Sequence, residues 1–380
     1  MKIPMSRPSV GAQELEAVRR VFESGWLGEG PLTAELERRV AALTGAPHAV
    51  AVNTGTSALH LALYVLGVGP GDEVIVPSLT FIADPMVVRL CGATPVFAEI
   101  EPGSLNLDPR ALSARLTRRT RVVLPTDYAG LPADVRAMRR ALRGKRVRFV
   151  RDASHSFGSL LDGRMVGVWA GEDLTCLSFD PIKNVTCGEG GMILARSASL
   201  ARRLRALKRL GQQEGSWSRF ARGRERNNRV AATGFRYHLS DINAAIGLTQ
   251  LDRLEALLDV RRRQAKRYDE RLAGVAGVTR LRRDYDQIVP FMYVIRVPAG
   301  ERDGLVAFLG EQGVHSGLRY APCHLQPAFR RRGQSLPVTE QLTREMLSLP
   351  LYADLSEDAV DRVAELVRSY LGRRPRESTS

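Results

Sequence analysis

The chain has 380 residues, 44% of them apolar and 26% charged, which excludes disorder over most of its length and leaves room for a large and a smaller domain. Its 56 basic residues against 41 acidic ones give a net charge of +15, a balance compatible with nucleic-acid binding. The basic residues divide into 51 Arg and 5 Lys, however. Phosphate binding gives no reason to avoid Lys, so a codon preference for Arg explains the charge more simply.

The N-terminal Met1-Lys-Ile-Pro-Met-Ser-Arg-Pro8 lacks the apolar stretch of a secretory signal, and no apolar run is long enough to span a membrane. The scattered Cys91, Cys176, Cys187 and Cys323 make neither a disulfide framework nor a zinc-like pair. A reduced cytoplasm is the expected compartment.

Helical patterns at 12–23, 33–43, 56–66, 80–90, 110–117 and 133–142 alternate with strand patterns at 73–76, 95–98, 121–124, 147–150, 174–179 and 192–194. This alternation predicts an α/β fold with a mostly parallel sheet covered by helices on both faces. Residues 56–66 are apolar nearly all round and should form a buried helix. Ser240 is the expected N-cap of a long helix running toward Gly274. A strand at 288–297 and helices at 302–312 and 357–371 then predict a smaller α+β domain. The expected boundary lies near 250, giving a large domain over 1–250, a small one over 251–372 and a disordered polar tail over 373–380.

The most informative segment is Asp173–Gly191, where an apolar strand ends at Ser178-Phe179 and Lys183 sits in the turn before a glycine-rich return. Lys2 is terminal, and Lys145, Lys208 and Lys266 stand among arginines on polar stretches. A chain that otherwise avoids lysine keeps Lys183 in its most glycine-dense apolar segment. A Schiff-base amine explains that, because a guanidinium cannot shed its proton to attack a carbonyl; a loop lysine reaching for solvent is the plainer alternative.

Asn53-Thr-Gly-Thr-Ser57 opens the buried helix. Gly55 frees the backbone, and Thr56 and Ser57 place donors at a helix N-terminus, an anion site if they do more than cap. Asp152 closes an apolar strand at the edge where open α/β sheets bind ligands, and a carboxylate there can face a cationic ring nitrogen. His155 follows three residues later, packing structurally or meeting the same ligand. A phosphate cradle, a strand-end Asp and a glycine-flanked Lys together match the needs of pyridoxal 5′-phosphate.

Several motifs carry this further: Ser24-Gly-Trp-Leu-Gly-Glu-Gly-Pro31, Gly71-Asp-Glu-Val-Ile-Val-Pro-Ser-Leu-Thr-Phe81, Asp152-Ala-Ser-His-Ser-Phe-Gly158, Ser178-Phe-Asp-Pro-Ile-Lys-Asn184, Gly188-Glu-Gly-Gly191, Leu239–Leu251 and Ser348-Leu-Pro-Leu-Tyr352. Through them the chain resembles the DegT/StrS-type sugar aminotransferases of PLP fold type I (aspartate aminotransferase-like). The resemblance implies an internal aldimine on Lys183, a ring-nitrogen contact from Asp152, and phosphate contacts from Thr56, Ser57 and Ser178 beside Gly55. It also implies Phe81 on the ring face, His155 near the ring oxygen, and His324, Tyr320 and Trp26 on the substrate side. Where the family often reads Gly-Tyr-Asn-Tyr-Arg, this chain has Gly234-Phe-Arg236-Tyr-His238. Arg236 then replaces an Asn that reaches the phosphate of the neighbouring subunit.

The implied reaction is amine transfer from glutamate or glutamine, through pyridoxamine phosphate, to a nucleotide-linked 3- or 4-keto-deoxysugar. The enzyme is expected to be a cytoplasmic homodimer with shared active sites, engaging neither nucleic acid nor membrane. Alternatives are a keto-cyclitol aminotransferase of aminoglycoside type, or a dehydratase or regulatory relative; Lys183 argues against the dehydratases, which carry His there. Residues 202–229 hold ten cations against Glu214 and Glu225, with Trp217 and Phe220 the only aromatics. They are expected to form a solvated loop rather than a nucleic-acid surface, with a nucleotide diphosphate as the intermediate reading for some of its arginines.

Overall fold

The structure is a computed structural model and describes residues 2–221, 230–331 and 333–372. Its strands are β1 (His48–Val52), β2 (Glu73–Pro77), β3 (Thr94–Ala98), β4 (Thr120–Val123), β5 (Arg148–Asp152), β6 (Leu160–Leu161), β7 (Arg164–Met165), β8 (Leu174–Ser178), β9 (Gly191–Ala195), β10 (Thr279–Arg280), β11 (Tyr293–Arg296) and β12 (Met346–Leu349). Its helices are α1 (Ala12–Ser24), α2 (Pro31–Thr44), α3 (Gly55–Val65), α4 (Ala83–Leu90), α5 (Leu112–Arg115), α6 (Val135–Ala141), α7 (Ala198–Leu207), α8 (Ser216–Ala221), α9 (Asp241–Asp252), α10 (Leu254–Arg271), α11 (Arg302–Glu311), α12 (Pro337–Glu345) and α13 (Glu357–Gly372).

Seven strands form one sheet in the order β1-β9-β8-β5-β4-β2-β3. Strands β8, β5, β4, β2 and β3 run parallel, and β9 is antiparallel to both neighbours. Alternate side chains feed opposite layers, as the strand period requires. Val74 and Val76 pack with α3 and α4, while Ile75 faces the layer of α5 and α6. Leu177, Met192 and Leu194 face α2, α9 and the start of α10. The predicted buried helix is α3, whose residues are mostly buried against the sheet.

Three expectations need correction. The helix from Ser240 is two helices, broken at Arg253, whose guanidinium is held by Ser9 O and Glu14 Oε1 on the α1 side. The strand expected over 288–297 shrinks to Tyr293–Arg296, because Pro290 has no amide to donate to a ladder. Lys208 is not a surface lysine. It is fully buried, its Nζ donating to Ala51 O at 2.7 Å and pairing with Glu29 at 2.7 Å and Glu37 at 3.2 Å. Burial pushes the Glu29 carboxyl up, but Lys208 and Arg209 prevail and hold it at about 2. Arg205 likewise pairs with Glu37, so this end of the basic stretch ties the loop before α2 to β1. Arg222, Arg224, Arg226, Arg229 and the tail expected over 373–380 lie outside the described residues, as does the Arg219 side chain.

A second, three-stranded sheet, β10-β11-β12, packs with α11, α13 and the far half of α10 around Tyr268, Ile295, Leu347 and Val363. Ile3 joins this core, bridging Val314. Helix α10 links the two cores, with Leu254 and Leu258 beneath the large sheet and Ala265 and Tyr268 in the small one. No described helix is long and apolar enough to cross a membrane.

Arg151 is the largest fully buried side chain, bridging Asp127 (Nη1, 2.8 Å) and Glu172 (Nε, 2.8 Å) behind β5. Arg151→Met strands two buried carboxylates and is expected to cost about 3–5 kcal/mol in urea unfolding at pH 7. A loss below about 1 kcal/mol would show that these carboxylates are readily neutralised or hydrated.

Candidate active site

The parallel strands end at one edge of the sheet, the general ligand-binding edge of open α/β folds. The segment after β1 starts α3, β5 ends in Asp152, and β8 ends in Ser178 five residues before Lys183. Between them lies a cavity of about 530 Å³ lined by Thr54, Gly55, Thr56, Phe81, Asp152, His155, Ser178, Lys183, Arg319 and Tyr320.

At its floor α3 points its N-terminus into the cavity. Thr54 is the N-cap, its Oγ1 accepting from Ser57 N at 3.0 Å. The Ser57 amide is therefore spent on capping, and Ser57 is buried behind exposed Thr56. A Cβ at Gly55 would stand 2.8 Å from Ser178 Cβ. Glycine thus lets the helix start close against the Ser178 hydroxyl, concentrating donors for an anion.

Asp152 is buried, and its Oδ1 accepts from Ser154 N at 3.0 Å and Ser154 Oγ at 2.5 Å. His155 is also buried, stacked on Phe291 with ring centroids 4.3 Å apart. Burial, then the nearby Lys183 and Arg319 charges, push the imidazole well below its ordinary range, so it is neutral at pH 7. Its Nε2 lies 3.4 Å from Tyr320 Oη, whereas its Nδ1 is buried without a partner. Lys183 Nζ sits 4.3 Å above the Phe291 ring. Burial lowers its amine to about 8, only partly opposed by Asp152 and Asp180.

These features fit a phosphorylated pyridine aldehyde. There is a helix N-terminus for the phosphate, a buried carboxylate for a ring nitrogen, an unpartnered imidazole nitrogen for a polar ring substituent, and an amine close to its neutral form.

Not every expected residue converges here. Trp26 and Arg236 line a separate cavity of about 530 Å³ with Glu29, Arg209 and His238. His324 is buried outside the Lys183 cavity, with Nδ1 2.6 Å from Ser78 Oγ and Nε2 3.2 Å from Glu340 Oε1. Phe291 and Arg319 were not foreseen. Phe291 lies in a stretch whose pattern reads as strand core, and Arg319 is one arginine among 51. The adjacent Tyr320 was the available pointer to that wall.

Residues 8–368 match the model of the DegT/DnrJ/EryC1/StrS aminotransferase family. The aminotransferase TlmJ from Streptoalloteichus hindustanus is 36% identical over 98% of this chain and 99% of that one, with a TM-score of 0.90. The PLP form of a putative sugar aminotransferase, Spr1654 from Streptococcus pneumoniae, is 30% identical over 98% and 99% of the two chains, also at 0.90. DesI, solved in the presence of its TDP-sugar product, is 33% identical over 98% and 93%, at 0.87.

The lowered Lys183 pKa is also a stability statement. Below pH 8 both folded and unfolded chains carry the charge, and the fold bears the full cost of burying it. Between pH 8 and the ordinary lysine range the folded state sheds the proton first, so the cost fades as pH rises. Lys183→Met is therefore expected to stabilise the cofactor-free protein by on the order of 2 kcal/mol at pH 7 and by much less at pH 10. Denaturant titrations at both pH values check this; an equal gain at both would assign the effect to packing instead.

Proposed function

Because the chain belongs to the DegT/DnrJ/EryC1/StrS aminotransferase family, we propose that it moves an amino group from glutamate or glutamine to a nucleotide-linked 3- or 4-keto-deoxysugar, with pyridoxal 5′-phosphate held in the Lys183 cavity. The observation that carries this reading is the meeting of Lys183, Asp152 and the α3 N-terminus in one cavity. The nucleotide-sugar acceptor draws support from DesI and its TDP-sugar product.

When bound, the cofactor supplies an aldehyde that takes up the amine and a protonated ring that draws electrons from the substrate carbon. The α3 N-terminus at Gly55 and Thr56, with the Ser178 hydroxyl, holds the phosphate, and Ser57 supports that turn from behind through its bond to Thr54. Asp152 keeps the ring nitrogen protonated. His155 meets the ring oxygen and Phe81 covers one ring face. Lys183 Nζ, with its pKa near the working pH, takes the proton from the amine-bearing carbon of the donor and delivers one to the acceptor carbon. Tyr320 lines the substrate side, and His324, gripped by Ser78 and Glu340, anchors the segment that carries it. Two copies complete the sites, Arg236 and Trp26 of each protomer reaching the cavity of its partner.

A glutamate-dependent assay over nucleotide-linked keto sugars and keto-cyclitols, with the aminated carbon read by NMR, tests the substrate class. Turnover confined to the keto-cyclitols would overturn the nucleotide-sugar reading. Lys183→Ala is expected to lower amine transfer by about a thousandfold or more, because no other lysine lines the cavity. Transfer at the wild-type rate in that variant would remove Lys183 from the chemistry.

A further inference from the structure

Asp84 stands in the first turn of α4, fully buried behind the carboxyl end of β5. Its Oδ2 accepts from Thr80 Oγ1 and Thr126 Oγ1, both at 2.6 Å. Thr126 is itself bridged to Asp152 where the sheet extends past β4, so Asp84 is bonded directly by the side chain of the backbone partner of Asp152. The other oxygen, Oδ1, is buried and has no hydrogen-bond partner. No cation pairs with Asp84 among the described residues.

The titratable groups facing Asp84 are Asp152, Cys176 and Cys323, with Lys183 and Tyr320 farther off. Cys176 is the β8 partner of Asp152, and Cys323 Sγ contacts Thr80 O at 3.4 Å. Burial pushes both thiols up, so they stay neutral at pH 7. Burial and then the Asp152 charge also push Asp84 well above the ordinary carboxylate range, prevailing over the two threonine hydroxyls. Two carboxylates sharing a dry space do not both ionise, and the one with the poorer donors keeps the proton. Asp152 has an amide and a hydroxyl from Ser154 and borders the cavity. Asp84 has an empty oxygen and no solvent.

We infer that Asp84 is a positioning residue for amine transfer: a neutral carboxylic acid that carries its proton on the unpartnered Oδ1, toward Asp152, so that the pair presents one negative charge to the ligand's ring nitrogen. The inference rests on the reading of Asp152 as the partner of that nitrogen. Asp84 touches no ligand. It fixes the charge and orientation of the carboxylate that does.

The test uses the full chain with pyridoxal 5′-phosphate as the probe, in the wild type, Asp84→Asn, Asp84→Val and Asp152→Asn. Infrared spectra of the chain before the probe is added show, at pH 7, the carbonyl band of a protonated carboxylic acid, and Asp84→Asn removes it. Asp84→Asn mimics the neutral acid, so probe affinity and visible spectrum stay within about threefold of wild type. Asp84→Val removes the donor and weakens the probe by about tenfold or more; should it fail to fold, the infrared band and the Asn variant still decide. Absence of the band in the wild type, or a probe affinity in Asp84→Asn as weak as in Asp152→Asn, overturns the inference. If Asp152→Asn leaves affinity and spectrum unchanged, the reading of Asp152 fails instead, and the infrared band still reports the state of Asp84.

Discussion

The pleat of β5 governs where buried charge goes in this molecule. Neighbouring residues on a strand point to opposite faces, and β5 ends in Arg151 and Asp152, both buried. Arg151 turns away from the cavity and is neutralised by Asp127 and Glu172. Asp152 turns toward it and is left with the small donors of Ser154 and the nearby acid Asp84. A one-residue slip of β5 would place the guanidinium in the cavity and the carboxylate in the ion cluster. The parallel ladders to β4 and β8, which fix the register, therefore also fix the sign of the potential at the cavity floor.

Around that strand the fold assembles opposing requirements. The helix N-terminus of α3 attracts an anion, and Asp152 attracts a cation. A ligand bearing both a phosphate and a basic ring nitrogen satisfies the two at once. Lys183 meets an apolar surface instead, the face of Phe291, which favours its neutral form while tolerating the charged one through the ring quadrupole. Arg261, buried on α10, reaches toward both Phe291 O and Lys183 O, each at 3.5 Å. The helix that links the two cores thus also holds the turn carrying the amine.

Much of this architecture was legible in the sequence because its signals are local. The six expected sheet strands form to within two residues of their expected bounds, since a buried parallel strand is a short run of β-branched residues between turns. Strand β1 was missed because His48–Val52 is rich in alanine, a residue without strand preference. Asp152 and Lys183 stood out through position and composition. Phe291 and Arg319 did not, because Phe291 meets His155 and Lys183, and Arg319 meets Met5 and Ser6, across more than a hundred residues, and Asp84 did not because its partner Thr126 lies 42 residues away; no periodicity records such contacts. Ser57 shows a subtler limit: the S/T/G cluster was visible, but Thr54 rather than Ser57 or Thr56 makes the cap, and a cap partner depends on where the first helical residue falls.

Lys208 and Lys183 show why scarcity was a useful signal yet not a sufficient one. Lys208 has two carboxylates and a carbonyl within reach, so each donor of its ammonium has a partner. That setting asks for a compact cation to fasten β1 to the loop before α2. Lys183 has no ion pair among the described residues and an aromatic face beside it, and burial lowers its amine to about 8. An arginine could compensate Glu29 and Glu37 in some geometry, but none could offer a neutral nitrogen to a carbonyl. The same residue type is retained in a chain that favours arginine for two reasons, shape in one place and acidity in the other, and only the surroundings of each nitrogen tell them apart.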